Sequence, residues 1–116
     1  MFRKAAEYRT ELRENMRGGS GTVKIEHFWE PKTEMHGANR MAARLTLPPG
    51  ASIGFHKHEN EEELFFIVKG QAEADDDGRK VALGPGDTLL TGNGAGHAVR
   101  NTGSDDLEIV AVITTY

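Results

Sequence analysis

The chain has 116 residues, 37% hydrophobic and 28% charged, the make-up of one soluble globular domain rather than two. No apolar run approaches a membrane span, no apolar stretch follows the charged start, and a net charge of −4 argues against nucleic acid as a partner. A cytoplasmic protein is expected, and the absence of cysteine excludes disulfides, thiolate ligands and a Cys nucleophile.

Residues 3–16 predict a helix, because Phe2, Ala5, Tyr8, Leu12 and Met16 fall at three- and four-residue steps. Gly18, Gly19 and Gly21 then read as a helix stop and linker; without a preceding strand or a following Gly-Lys-Ser/Thr they do not read as a phosphate cradle. Thr22 to Trp29 alternates as a strand, with Val23, Ile25 and His27 on one face. A Pro- and Gly-containing loop follows. His27 reads as a packed histidine and His36 as a solvated one. Arg40 to Leu47 is a strand with Met41, Ala43, Leu45 and Leu47 on one face. The chain thus divides into a helix and linker over 1–21 and a β domain over 22–116.

Pro48-Pro49-Gly50 leads into Ser52 to His58, which carries His56 and His58. Side chains alternate along a strand, so both imidazoles project from one face, and Gly54 on that face leaves space beside them. Glu63 opens the next strand. Two imidazoles and a carboxylate make a mixed nitrogen–oxygen set suited to a divalent transition metal. Exposed polar residues near a hairpin are the plainer reading of that fragment. In the same strand Phe65 and Ile67 share the side of Glu63, while Leu64, Phe66 and Val68 form an apolar row on the other. A strand apolar on both faces needs cover on both, and in so small a domain a second subunit supplies it, so a homodimer is expected.

Asp75-Asp76-Asp77-Gly78 is a hairpin turn between Gln71–Ala74 and Val81–Leu83. Read as a calcium loop it would place Gly84 where the twelfth-position Glu belongs, so calcium is rejected. Thr88–Thr91, His97–Thr102 and Leu107–Thr115 complete a set of short strands that indicates an antiparallel sandwich or barrel.

Gly50, His56, His58, Glu63 and Gly70, followed by Gly86, Asp87, Gly94, His97 and Asn101, stand at the spacings of the two motifs of the cupin superfamily, which the chain resembles. Gly92 departs from the pattern, standing where the family usually has Pro. The resemblance implies an all-β, antiparallel jelly-roll (cupin) barrel, here with one N-terminal helix. It also implies that His56, His58, Glu63 and His97 bind one metal ion. Manganese and iron(II) suit that set best; nickel, cobalt, copper and zinc remain possible.

Similar proteins act on small oxygen-rich molecules, so the favoured function is a metal-dependent enzyme acting on a small anion by oxidation, decarboxylation or isomerisation. Arg17, Arg44 and Arg100 are candidates to hold the anion, and Phe65, Ile67 and Leu90 to exclude water. Few acid–base groups accompany the metal, since Tyr occurs only at positions 8 and 116 and Glu62 points away from Glu63. The alternatives are a non-catalytic sensor that binds a small ligand and a purely structural cupin.

Overall fold

The computed structural model describes residues 1–116 and contains ten strands, all paired antiparallel. They are β1 (Arg9–Glu14), β2 (Thr22–His27), β3 (Asn39–Leu47), β4 (Ser52–Lys57), β5 (Glu61–Lys69), β6 (Ala72–Asp76), β7 (Arg79–Leu83), β8 (Thr88–Gly92), β9 (Gly96–Asn101) and β10 (Leu107–Thr115). Six form one sheet in the order β1-β2-β3-β10-β5-β8, and four form another in the order β4-β9-β6-β7. No ladder joins the two, so the barrel is open. No helix is long and apolar enough to cross a membrane.

The core lies between the sheets and follows from period-two alternation. Val23 and Ile25 of β2, Ala43, Leu45 and Leu47 of β3, Phe65 and Ile67 of β5, and Ile109 and Ala111 of β10 face inward and are buried. Ile53, Ala72, Ala74, Leu83 and Val99 meet them from the smaller sheet. Each fully buried Val, Leu, Ile or Phe contributes about 1.5–3 kcal/mol to folding. The Asp77-Gly78 turn joins β6 to β7 with both residues at positive φ (50° and 99°), as a tight hairpin demands. Asn101 is fully buried and satisfied: its amide donates 2.8 Å bonds to the carbonyls of Leu47 and Asp105, and its Oδ1 accepts from the Gly103 N–H. Gly92, in place of Pro, packs against Glu62, and the neighbouring loop is tied by the Asn93 N–H donating to the Tyr116 hydroxyl at 2.8 Å.

The N-terminal helix expected over residues 3–16 does not form. Residues 9–14 are β1, paired with β2 from Arg9 opposite His27 to Glu14 opposite Thr22, with single 3-10 turns on either side at Ala5–Glu7 and Met16–Gly18. The apolar stripe that suggested a helix has nothing to pack on: Phe2 and Leu12 are exposed, Tyr8 lies against Phe28, and only Met16 reaches the core. A helix of this length needs a buried face to repay nucleation, whereas the edge of β2 offers a row of backbone bonds. The strand pairing thus makes residues 9–14 part of the main sheet.

Residues 17–19 are not a loose linker either. Arg17 and Gly18 adopt left-handed conformations (φ 55° and 81°), and the turn lies flat on β4. A Cβ on Gly19 would collide with the Ser52 carbonyl, and one on Gly54 with the Arg17 carbonyl. Gly54 therefore makes room for this turn and not for a metal ion, which corrects the expectation drawn from its position.

Candidate metal centre and ligand cavity

His56 is the penultimate residue of β4, His58 lies just beyond the strand, His97 is in β9, and Glu63 reaches across from β5 in the other sheet. His56 and His97 are direct ladder partners, and a bulge between Ile53 and His56 turns both of those side chains inward. The backbone of His58 is fixed by its N–H donating to Ala95 O at 3.0 Å and its carbonyl accepting from Gly94 N at 2.9 Å. One ligand atom from each of the four side chains lies within 4.8 Å of all the others. His58, Glu63 and His97 are buried and His56 is half-buried, which marks the side from which the cluster is reached.

The tautomers are partly fixed by neighbours. His56 donates through Nδ1 to the Gly54 carbonyl at 2.8 Å, and His58 donates through Nδ1 to Glu61 Oε2 at 2.6 Å. Each then turns its Nε2 lone pair inward. The Nε2 of His97 stands 3.1 Å from that of His58, 3.2 Å from that of His56 and 3.0 Å from Glu63 Oε1. A carboxylate and converging imidazole lone pairs have no shared donor to satisfy them, and a divalent cation does so. The residues present fit one. His97 Nδ1 is buried without a partner, the exception in this outer layer.

The electrostatics agree. Burial opposes ionisation of Glu63, but the His58 and His97 rings, each with Nε2 about 3 Å from Glu63 Oε1, outweigh it and hold the carboxyl below its usual range. The nearby Glu63 carboxylate raises His58, whereas burial lowers His56. Glu61 is pushed down to about 2, chiefly by the Arg40 guanidinium, which grips it through two 2.8 Å bonds. Arg40, Glu61 and His58 thus form a relay of fixed contacts that holds one ring of the cluster.

The cluster opens into a cavity of about 190 Å³. Phe65 lines it and stacks on His97, with ring centroids 4.7 Å apart. Arg17 also lines it, and its side chain makes no ion pair or hydrogen bond within the protein. Four other candidates are not brought there. Ile67 is fully buried in the core, four residues from Glu63 and about 13 Å farther along the strand. Arg44 lies on the outer face, bonded to Glu26 by two 3.0 Å contacts. Leu90 is exposed beside Leu64 on the outside of the large sheet. Arg100 is exposed, 3.5 Å from Glu73 on the neighbouring strand. Of the histidines outside the motifs, His36 is exposed and His27 is a cavity wall residue.

The sequence reading missed Arg9, Glu11, Arg13 and Arg40, all of which line the cavity. The first three share one face of β1, and alternation of charged residues over 9–13 was the signal that could have found them.

A family model described as a cupin domain matches residues 43–113. An oxalate-binding protein of Thermotoga maritima is 42% identical over 113 residues, covering 97% of this chain and 93% of its own. The crystal structure of a predicted oxalate decarboxylase from Thermotoga maritima superposes with a TM-score of 0.94 at 40% identity, over the whole of both chains. A polyketide cyclase from Streptomyces resistomycificus shares the fold, with a TM-score of 0.76 at 17% identity over 99% of this chain and 79% of its own. With two motifs, a three-histidine and one-carboxylate cluster and these relatives in agreement, the chain belongs to the cupin family.

Proposed function

We propose that the protein holds one divalent transition metal at His56, His58, Glu63 and His97 and binds on it a small oxygen-rich anion of the oxalate class. The observation that carries this reading is the convergence of four ligand atoms at one end of a small cavity that also presents the unpaired Arg17. The cavity of about 190 Å³ is comparable to engineered apolar cavities of roughly 150 Å³ that take a single benzene. It therefore suits a ligand of about six heavy atoms, and oxalate is of that size. Manganese or iron(II) fits the mixed donor set best. When bound, such a metal polarises a carboxylate and supports redox or decarboxylation chemistry. The protein's own part is to hold the anion with Arg17 and to exclude water with Phe65.

The favoured reading is an enzyme that turns over this anion by oxidation, decarboxylation or isomerisation. A second reading, a binder without turnover, is supported by the Thermotoga relative described as oxalate-binding. Metal analysis of protein purified without chelator, then calorimetry with oxalate and an assay for oxalate loss under manganese and iron(II), decides between them. Absence of both metal and oxalate binding would sink the proposal.

The outer face of the large sheet supports a homodimer. Leu64, Phe66 and Val68 are 41%, 41% and 43% exposed, and Leu90 and Val112 flank Leu64 on the adjoining strands. The N-terminal segment sits at the opposite edge as β1 and leaves this row uncovered. A second copy of the chain is the partner we propose for it.

A further inference from the structure

β1 supplies the charged wall of the cavity, and its three lining residues are not equivalent. Arg9, Glu11 and Arg13 stand opposite His27, Ile25 and Val23 of β2 and alternate with Thr10 and Leu12, so all three share the cavity face. Arg9 is committed to Glu30 by bonds of 2.9 and 3.0 Å, as Arg40 is to Glu61. Glu11 is held on both oxygens: Oε1 lies 2.5 Å from His27 Nε2 and accepts from Arg9 at 3.3 Å, and Oε2 accepts from Arg13 Nε at 3.2 Å. Arg13 spends only that Nε. Its terminal nitrogens make no bond within the protein, so Glu11 fixes the guanidinium by one corner and leaves its outer edge for another acceptor.

Arg13 and Arg17 are thus the lining guanidiniums with donors to spare, and they stand at different distances from the metal cluster. Arg17 is the nearer: after burial and the neighbouring histidines, its charge is among the influences that lower His56. The Arg13 side chain is 47% exposed, on the strand that forms the free edge of the large sheet, and so marks the mouth. A head of about six heavy atoms fills the cavity of about 190 Å³, and any further group on such a ligand lies at that mouth.

Charge balance points the same way. Glu30 and Glu61 neutralise Arg9 and Arg40, and Glu11 and Glu63 offset Arg13 and Arg17. One divalent cation at the cluster then leaves two positive charges for a ligand to answer. Because Arg13 lies away from the cluster, a dianion with separated carboxylates answers both at shorter range than a compact one.

Resting on the acid-binding reading above, we propose that Arg13 is the specificity-determining residue of this cavity and takes the outer carboxylate of a diacid. The inner end, a carboxylate with a neighbouring oxygen as in oxalate, lies at the cluster beside Arg17. The ligand class is a four-carbon 2-hydroxy or 2-oxo dicarboxylate: its inner six heavy atoms fill the cavity and its second carboxylate reaches the mouth.

Calorimetry of zinc-loaded protein with malate and lactate tests this, because the two share a 2-hydroxy acid head and differ by the outer carboxylate. The wild type is expected to bind malate about tenfold tighter than lactate, the order of one charge-assisted contact at an exposed site. Arg13→Gln should bring the two within about twofold by weakening malate alone, and Arg13→Lys should keep part of the preference, both with zinc content unchanged. Equal loss of malate and lactate in Arg13→Gln overturns the inference. Oxalate binding by the wild type without preference for malate over lactate also overturns it, and leaves the acid-binding reading standing. Failure of the wild type to bind oxalate, lactate and malate alike overturns that reading and the role of Arg13 with it.

Discussion

The Arg40 guanidinium clasps both oxygens of Glu61 at 2.8 Å, and the far side of that carboxylate receives the Nδ1–H of His58. A surface arginine thereby sets the orientation of a buried imidazole. Groups placed this way around a metal ligand usually change metal affinity by about 10–100-fold when removed. Glu61→Gln should weaken metal binding by that order while leaving the fold intact, as read by competition with a fluorescent chelator.

The same pair makes a pH prediction. The folded-state pKa of Glu61 is depressed to about 2 from 4.5, so its contribution to stability is present above pH 4.5 and lost as pH falls toward 2. Arg40 is about half exposed, which limits the contribution to under about 1 kcal/mol. Denaturant titrations should show Arg40→Ala less stable than wild type at pH 7, with the gap closing by pH 2. A gap that persists at pH 2 would assign the loss to packing.

Metal binding should require His58 and His97. Replacing either by Ala should abolish stoichiometric metal, and Glu63→Gln should weaken it. Affinity should also decline on acidification, because imidazole must be neutral to ligate. The Glu63 carboxylate beside it raises His58, so the decline should begin at or above its ordinary pKa of about 6.5. Full occupancy in the His56→Ala, His58→Ala double variant, by elemental analysis, would refute the site.

For the anion, Arg17→Ala should weaken oxalate binding about tenfold, equivalent to about 1.4 kcal/mol, without loss of metal. Gly54→Ala offers a complementary probe, since its methyl would displace the Arg17 turn from β4. Calorimetry should show weaker oxalate binding in both variants and unchanged metal content in Arg17→Ala.

The exposed row on β5 predicts a dimer near twice 12.7 kDa in light scattering, and Phe66→Glu should shift it toward monomer. A wild-type protein that remains monomeric at high concentration would count against the interface.

The convergence of His56, His58, Glu63 and His97 was legible because these residues sit at fixed spacings on or beside strands whose alternation is strong. Arg44, Leu90 and Arg100 were misassigned although the same alternation was available: each is one residue out of step with buried neighbours Leu45, Leu89 and Val99. The error at Gly54 had a different origin. The bulge between Ile53 and His56 shifts the parity of β4, and only the pairing with β9 reveals it. β1 was illegible for a third reason. Phe2, Ala5, Tyr8, Leu12 and Met16 fit a helical period while Arg9, Glu11 and Arg13 fit a strand, and the partner that decides between them, β2, becomes adjacent only through the fold. His27 and Glu11 could not be paired from sequence, being sixteen residues apart.

β1 contributes no buried side chain, yet three of its residues line the cavity. Selectivity and foldedness are thereby carried by different parts of the chain. On the proposed acid-binding reading, substitutions at positions 9, 11 and 13 retune which acid is admitted while the hydrophobic interior keeps its margin, which blunts the usual trade-off between a new specificity and stability. A library confined to those three positions should therefore yield folded, metal-loaded proteins in high proportion, differing from one another in the anion they retain.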